Sequence, residues 1–319
     1  MTRIGLISNA RSTRNLASMA DVHDVLEAHQ DVMHLVFHNI TELSDALDEM
    51  AAQSVTHLAI SGGDGTVQAA VNHLIKDKPF AEMPKLSLIS GGMTNVIALD
   101  VGMPGKPAKA LKQMIERVKA GDTGTCLDRK LIALSLDGGT TQTYGFFGGA
   151  VSFYQGTMLS QKGRHNGDEG RSLTANPTIL LSLLRVLWYG PGARSGFHGE
   201  RITMTRDNGE PCEQDVLLLL LTTLHRLLPG VMPFWGDACK TIRYTLMDHP
   251  PQRFLCAVWP MLRGKARPWF DAAGYHSGSL DHLALTLSTP FVMDGELFTP
   301  NQMHGLQISA GPAIRFHRF

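Results

Sequence analysis

The stretch HLAISGGDGTVQAAVNHL, residues 57–74, decides the fold of this chain. It opens with a short apolar run typical of a buried strand, breaks into Gly-Gly-Asp-Gly-Thr at 62–66, and continues with apolar residues at helical spacing. The pattern therefore predicts a strand, a glycine turn and a helix. Glycines let a ligand approach the backbone closely, and a helix N-terminus offers unpaired N–H groups, so this turn suits a phosphate.

One acid, Asp64, lies in the middle of this turn. A carboxylate beside a phosphate is repelled by it unless the carboxylate handles a proton, a hydroxyl or a metal. The alternative is a tight turn in which Asp64 caps the helix through its side chain. This stretch alone leaves both interpretations open.

Length and charge narrow the classes of protein to consider. A chain of 319 residues favours two domains. Lys+Arg and Asp+Glu number 29 each, so there is no electrostatic footprint for nucleic acid, and we expect no such partner. The four cysteines lack metal-binding spacing and predict reduced thiols in a cytoplasmic protein. The start of the chain shows no signal-peptide pattern, and the longest apolar run, 216–221, is too short to span a bilayer.

The first hundred residues repeat a strand-turn-helix pattern four times. The predicted strands are 3–8, 32–37, 58–60 and 86–89. This repeat predicts a doubly wound α/β domain, with a parallel sheet and helices on both faces. Ligands bind such sheets at the carboxyl ends of the strands, so the polar turns at 9–15, 62–66 and 91–95 should meet at one edge.

The pattern changes to mostly antiparallel β in the second half. Strands are predicted at 130–136, 141–147, 201–206, 216–222, 241–247, 283–287, 306–309 and 313–316. Hairpin signals occur at 137–139 and 207–209, and helical patterns at 176–187 and 251–262. We therefore predict an α/β nucleotide-binding domain at 1–124 and a β-rich sandwich domain at 125–319, whose last strands pack back near the cleft.

Three irregular segments keep two interpretations each. The polar, glycine-rich segment 161–171 is either a solvated loop or a lid. The segment 224–235 is either a packed loop or the wall of an apolar pocket or membrane-touching edge. Asp294 and Glu296 flank one glycine after a hydrophobic strand, which indicates a hairpin turn or a catalytic pair.

Taken together, the motifs resemble the diacylglycerol kinase catalytic-domain family, which includes sphingosine and ceramide kinases and bacterial soluble lipid kinases. The resemblance covers nearly the whole chain, and its strength lies in the order and spacing of the motifs. The resemblance rests on these residues, in chain order: Asn9 with Ser12, the turn 62–66 with Asn72, Gly92 with Asn95 followed by Ala98 and Gly102, then Asp128, and finally Asp294-Gly-Glu296.

The resemblance implies transfer of the ATP γ-phosphoryl group to a lipid hydroxyl, of diacylglycerol or a related lipid, with Mg²⁺. Glu296 would accept the proton, Asp294 would support it or the metal, and Asp64 would orient nucleotide and magnesium. Asp237 plausibly matches a family turn near magnesium. The implied nucleotide-binding residues are Asn9, Arg11, Ser12, Thr13, Gly62, Gly63, Asp64, Gly65, Thr66, Gln68, Thr94 and Asn95.

The implied partners are a lipid substrate and, transiently, a membrane surface, so we expect a cytoplasmic protein peripheral at the membrane. The sequence leaves a homodimer open.

Some turns depart from the family pattern. Ala10 and Thr13 replace a proline and a glycine in the first turn, and Ser90 and Met93 replace a proline and a threonine in the fourth. These changes favour one alternative, a non-catalytic nucleotide- or lipid-binding protein with the same fold. A second alternative, NAD kinase, is disfavoured because the chain contains no Asn-Glu dipeptide.

Overall fold

The computed structural model describes residues 2–92, 95–136, 138, 141–165, 197–300 and 305–319; the side chains at 13–19 and 160–165 are outside this description. The chain divides into two compact units. The first unit is Met1–Arg129 with Ala313–Phe319, and the second is Lys130–Pro312. The predicted boundary between two domains at 124/125 stays a prediction.

The first unit alternates strands and helices as the sequence predicts. Its described elements are β1 (Ile4–Asn9), α1 (Thr13–Glu27), β2 (Met33–Phe37), α2 (Ile40–Ala52), β3 (His57–Gly62), α3 (Asp64–Lys76), β4 (Lys85–Ser90), α4 (Val96–Val101), α5 (Pro107–Lys119), the start of β5 (Thr125–Ser135) and the end of β15 (Leu306–Arg318).

The sheet of the first unit is parallel, in the order β2-β1-β3-β4, and Phe316 at the end of β15 pairs with Leu86 of β4. Strand β3 is buried along its full length, as expected for a parallel strand covered on both faces. Helix α2 buries one face, which consists of Leu43, Ala46, Leu47 and Met50, because these apolar residues recur at helical spacing.

The second unit is β-rich. Its described elements are the rest of β5, β6 (Thr143–Gly145), β7 (Phe147–Val151), α6 (Ser152–His165), β8 (Glu200–Arg206), β9 (Cys212–Thr222), β10 (Ile242–Asp248), α7 (Phe254–Leu262), a 3-10 turn (Asp271–Ala273), β11 (Tyr275–Leu280), β12 (His282–Thr286), β13 (Phe291–Met293), β14 (Glu296–Phe298) and the start of β15.

Strand β9 is the centre of this antiparallel arrangement. It pairs with β8 near its start and with β7 and β10 along its apolar end. Strand β13 joins β7 to β14, and β12 lies between β8 and the start of β15. The strand pairs expected from the two hairpin signals are confirmed, since β5 pairs with β6 and β8 with β9, although residues 137 and 139 of the first signal lie outside the described residues. The predicted fold class, a doubly wound α/β part followed by a β-rich part, is confirmed.

Several predicted elements are wrong in detail. The single strand predicted at 141–147 is two strands, because Phe146 leaves the ladder: its N–H donates to the Asp294 carboxylate and its carbonyl accepts from Thr222 and Thr223. The two predicted closing strands are one long strand, β15. Strands β11 and β14 were not predicted, since the glycine and serines of β11 and the three residues of β14 give a weak strand pattern.

Two predicted segments fall partly or wholly outside the described residues. The helix at 176–187 lies outside them. The first five residues of segment 161–171 continue helix α6, which the sequence did not predict, and the rest lies outside. Among the described helices, none combines the length and apolar character needed to cross a bilayer.

Candidate functional site

The three polar turns of the first unit follow neighbouring strands, as predicted. Strands β1 and β3 run parallel up to the pair Ser8 and Ser61, and β3 and β4 up to the pair Gly62 and Ser90. The turns therefore share the carboxyl edge of the sheet, where ligands bind in folds of this type. Two of the turns are shorter than predicted, because α1 begins at Thr13 and α3 at Asp64.

The first turn is tied to α3 by Asn9. Its Nδ2 group donates to the Thr66 hydroxyl at 2.8 Å, and its Oδ1 accepts the Arg11 N–H at 2.9 Å. Thr66 is buried, whereas Arg11 is exposed. Ser12, also buried, stands at the N-terminus of α1. Asn9 thus acts within the protein, fixing the spacing between the first and third turns.

Asp64 links the third turn to the fourth. As the first residue of α3, it leaves its own helix without a side-chain cap. Its carboxylate accepts the N–H groups of Val96 at 3.0 Å and Ile97 at 2.9 Å, so it caps α4 instead. Burial raises the pKa of this carboxyl, and the hydrogen bonds from Ile97 and Val96 oppose that shift. Asp64 is therefore a helix cap, as one of the two interpretations predicted, but it caps α4 and not α3.

The third and fourth turns also touch through their backbones. The Gly91 N–H donates to the Gly62 carbonyl at 3.0 Å. A Cβ on Gly92 would lie 2.5 Å from the Gly63 Cα, so only glycine fits at position 92 without a shift. Asn95, at φ 50°, folds its amide back on Gly92: Oδ1 accepts the Gly92 N–H at 2.8 Å, and Nδ2 donates to the Gly92 carbonyl.

This edge keeps its helix N-termini available for an anion. Neither α1 nor α3 has a side-chain cap, so their first N–H groups and the positive ends of their dipoles face the edge. Gln68 is buried in the first turns of α3, and Asn72 donates to its carbonyl. The side chain of Thr13, and Met93 and Thr94 entirely, lie outside the described residues.

Helix α4 is held at its other end by residues that the sequence did not single out. Asp100 is buried and receives two hydrogen bonds from the Arg129 guanidinium, at 2.7 and 3.1 Å. Arg318 donates to the carbonyls of Asp100 and Gly102. The sequence could have indicated this anchored end through Asp100, which is the one acid in the otherwise apolar helix sequence VIALDV.

In the second unit, Asp294 forms the turn of the β13–β14 hairpin. Asp294 and Gly295 have φ of 49° and 96°, as in a two-residue hairpin turn with both central residues left-handed. The Asp294 carboxylate accepts the N–H groups of Phe146 at 2.8 Å and Phe147 at 3.0 Å, and its own N–H donates to the Phe147 carbonyl at 2.8 Å. The predicted hairpin is confirmed, and Asp294 fastens it to the β6–β7 junction.

Glu296 differs from Asp294 in its surroundings. It is the first residue of β14, it pairs with Met293 across the hairpin, and it is exposed. Its carboxylate forms no hydrogen bond with any other residue in the described part of the chain. The hairpin therefore holds the backbone of Glu296 firmly and presents an unengaged carboxylate, which is the state that a proton acceptor needs.

The structure also shows the surroundings of Asp237 and of the segment 224–235. Asp237 is exposed in a loop, beside Gly236, whose N–H donates to the Ser277 hydroxyl. No group of three acidic, histidine or cysteine side chains arranged for a metal is present within the described ranges. In segment 224–235, Phe234 is buried and Trp235 packs edge-on against Phe270 at 5.0 Å, which favours the packed-loop interpretation.

A cleft of about 430 Å³ in the first unit lies at the amino ends of β1 and β2, beside Arg3, Val32 and Met33. Ligands of parallel sheets bind at the opposite edge, and this cleft contains none of the glycine turns. We therefore do not assign the nucleotide to it.

Comparison with known proteins shows what the chain is similar to. Residues 3–126 match the family model of the diacylglycerol kinase catalytic domain. A diacylglycerol kinase structure from Bacillus anthracis str. Sterne matches with a TM-score of 0.61 and 15% identity, over 97% of this chain and 93% of that one. Another structure from the same organism has a TM-score of 0.66 and 16% identity, over 99% and 97%. At these identities the structures show a shared fold.

No curated protein matches the sequence. The family match nevertheless contains the three turns of the carboxyl edge and ends at Cys126, just before Arg129, the partner of Asp100. The resemblance seen in the motifs is thus confirmed over residues 3–126, which match the diacylglycerol kinase catalytic domain.

Proposed function

We propose that the protein is an ATP-dependent lipid kinase that transfers the γ-phosphoryl group to a hydroxyl of diacylglycerol or a related lipid. The observation that carries this proposal is the carboxyl edge of the first unit's sheet, where hydrogen bonds from Asn9 and to Asp64 join the three polar turns. This edge lies within the residues matched by the kinase family model. Its kinase-like character rests on the family match, and the lipid acceptor and the residue roles are our inference.

The phosphates of ATP would bind to backbone groups at this edge. The uncapped N-termini of α1 and α3 supply N–H donors, and Gly62, Gly63 and Gly65 remove side chains that would block a close approach. Asn9 and Asn95 would not contact the phosphates themselves; their hydrogen bonds, together with those of Asp64, set the separation of the three turns. Arg11, exposed beside the edge, adds positive charge for the nucleotide.

Mg²⁺ commonly binds through one or two carboxylates together with substrate phosphates. Asp64 is the only acid in the three turn sequences, and each of its oxygens keeps a lone pair beyond its one backbone hydrogen bond. The residues present therefore fit such a shared site. When bound, the ion neutralises charge on the transferring phosphoryl group.

The acceptor hydroxyl would lose its proton to Glu296. The lipid oxygen forms a bond to the γ-phosphorus, the bond from that phosphorus to the bridging oxygen breaks, and ADP leaves with the electron pair. Glu296 offers an unengaged carboxylate on a hairpin that Asp294 fixes through two backbone hydrogen bonds. General-base transfer of this kind typically contributes about 10²–10⁴ in rate.

One departure from the family pattern favours a second candidate, a non-catalytic nucleotide-binding protein. At position 10, where family members usually have proline, the Ala10 N–H donates to the Phe37 carbonyl at 3.0 Å, a bond that proline cannot make. This bond ties the first turn to the end of β2 and so helps to set how closely the turn approaches a nucleotide.

A transfer assay separates these candidates. The purified chain is incubated with γ-labelled ATP and Mg²⁺ and, in parallel, with diacylglycerol, monoacylglycerol, phosphatidylglycerol, sphingosine or ceramide in mixed micelles, with NAD, or without acceptor. A lipid kinase labels at least one lipid. Binding of ATP without labelling of any acceptor supports the non-catalytic candidate, and labelling of NAD contradicts the lipid assignment.

A further inference from the structure

Helix α7 is unusual in its composition and in how little of it is covered. Its sequence FLCAVWPML contains no charged residue, yet Leu255 is 65% and Trp259 63% exposed. A helix that is apolar all round is expected to be buried on every side. Here only one side is covered, by packing of Ala257, Val258, Pro260 and Met261.

The covered side fixes the helix in place. Ala257 and Met261 belong to a buried cluster with Phe270 and Tyr275, and Trp269 packs edge-on against Phe270 at 5.0 Å. Leu255 and Trp259, four residues apart, therefore project together from the opposite side of a well-anchored helix. We call these two residues, together with the basic residues Arg253, Arg263, Lys265 and Arg267, the α7 face.

The border of the α7 face is basic. Arg253, Arg263, Lys265 and Arg267 are all exposed. No acidic residue occurs between Asp248 and Asp271, although the chain as a whole has a net charge of zero. None of the four cations forms an ion pair with a carboxylate in the described part of the chain. The guanidinium of Arg263 instead lies 4.3 Å from the centre of the Trp259 ring, and that of Arg253 lies 5.6 Å from the Trp269 ring.

We propose that the α7 face docks on a lipid surface that carries negative charge. Leucine and tryptophan side chains enter the boundary between headgroups and acyl chains, where tryptophan is favoured, while arginine and lysine meet the phosphates above it. The charge of the border selects this occupant. A second copy of the chain, placed face to face, would bring four cations against four cations.

The proposal extends the lipid-kinase function but does not depend on it, because docking needs neither ATP nor an acceptor. If the kinase function is also correct, docking brings the second unit to the surface in which a lipid acceptor resides.

The test is sedimentation of the full chain with vesicles, without nucleotide. One set contains phosphatidylcholine alone, and the other equal parts of phosphatidylglycerol and phosphatidylcholine. We expect binding to the anionic vesicles at least about tenfold tighter than to the neutral ones, weakened by salt. Leu255→Gln with Trp259→Gln should reduce that binding at least about tenfold, and Lys265→Gln with Arg267→Gln should reduce it about fivefold for each charge removed.

Ile40→Gln is the matched control, because Ile40 is 67% exposed, lies in the first unit, and belongs to a stretch with no lysine or arginine between Arg14 and Lys76. It should bind vesicles as the wild type does, and thermal melting should show that all variants remain folded. The proposal is overturned if the wild type does not bind anionic vesicles, or if the Leu255/Trp259 variant binds them as tightly as the wild type. It is also overturned if the only effect of the Leu255/Trp259 variant is to convert a dimer of the chain into monomers. Transfer measured on a short-chain lipid dissolved as monomers reports on the kinase function separately.

Discussion

Both carboxylate oxygens of Asp64 accept backbone N–H groups of α4, and the amides of Asn9 and Asn95 are likewise engaged inside the protein. At the scale of the residue, these motif side chains therefore position turns, and backbone N–H groups at the N-termini of α1 and α3 remain available to the proposed nucleotide. Asp294 repeats this role in the second unit, where it accepts two backbone N–H groups. Glu296 is the acid whose carboxylate stays available.

The raised pKa of Asp64 predicts a pH dependence of stability. In the unfolded chain this carboxyl ionises near its ordinary value of 3.8, whereas burial keeps it protonated to higher pH in the folded chain. Between those two pKa values the folded state binds more protons, so the contribution of Asp64 to the free energy of unfolding declines as pH rises through the folded pKa.

Asp64→Asn removes that contribution. Urea unfolding of wild type and variant from about pH 4 to about pH 7 should therefore show the wild type losing stability relative to the variant as pH rises. A difference between them that stays constant, or changes in favour of the wild type, would contradict the assigned environment of Asp64.

Asp294→Asn should destabilise the fold. Asparagine tolerates the left-handed backbone of this position, but its amide group would face a backbone N–H in place of an oxygen, so one hydrogen bond is lost. We expect a loss of about 1–3 kcal/mol in the free energy of unfolding, measured by urea denaturation. Glu296→Gln, at an exposed position of the same hairpin, should change it by less than about 0.5 kcal/mol. Equal effects of the two changes would show that the residues share one role.

At the scale of the element, the short helix α4 depends on partners at both ends. Its six residues are too few to be stable alone. Asp64 caps the start, and the buried pair of Asp100 and Arg129, together with Arg318, holds the end. Helix α4 follows the fourth turn directly, so its anchors also set the position of that turn.

The Asp100–Arg129 pair is expected to be strongly coupled. Arg129→Leu leaves a buried carboxylate without its partner and should cost about 3–5 kcal/mol, whereas the additional change Asp100→Leu should restore part of that loss. Chemical denaturation of both single variants and the double variant gives the coupling free energy. Arg315→Leu is the control, since its pair with Asp128 is exposed, and it should change stability far less. Additive effects at Asp100 and Arg129 would contradict the pairing.

Gly92→Ala tests the contact between the third and fourth turns. The added methyl group would meet the Gly63 Cα at 2.5 Å, so the turns must separate. We expect a loss of about 1–3 kcal/mol in unfolding free energy and weaker ATP binding by calorimetry. Gly156→Ala is the control, because its Cβ would make only ordinary van der Waals contacts, with the Phe197 ring at 3.7 Å, and alanine favours a helix. A Gly92→Ala variant with wild-type stability and ATP affinity would show that the turns are not in contact.

The elements of the first unit could be predicted because each strand and helix carries its own periodic pattern, as residues 57–74 do. The partners of the motif residues could not, because they come from distant parts of the chain. Asp64 lies 32 residues from Val96, and Asp294 148 residues from Phe146. The same long-range bond explains the missed break between β6 and β7. No local pattern marks a residue whose N–H leaves its strand.

At the scale of the whole molecule, the two units divide the proposed chemistry. The first carries the linked turns for the nucleotide, and the second carries Glu296 and the α7 face. The kinase family model ends at residue 126, so the assignment of the proton acceptor to the second unit lies outside the matched residues. A variant of Glu296 tests this assignment directly.

That test is the transfer of labelled γ-phosphate by Glu296→Gln, with ATP affinity measured on the same preparation. If Glu296 accepts the proton of the lipid hydroxyl, the variant should bind ATP within about twofold of the wild type and transfer phosphate to the preferred lipid at least about a hundredfold more slowly. Transfer at the wild-type rate by a folded Glu296→Gln variant would contradict the role of Glu296 as proton acceptor.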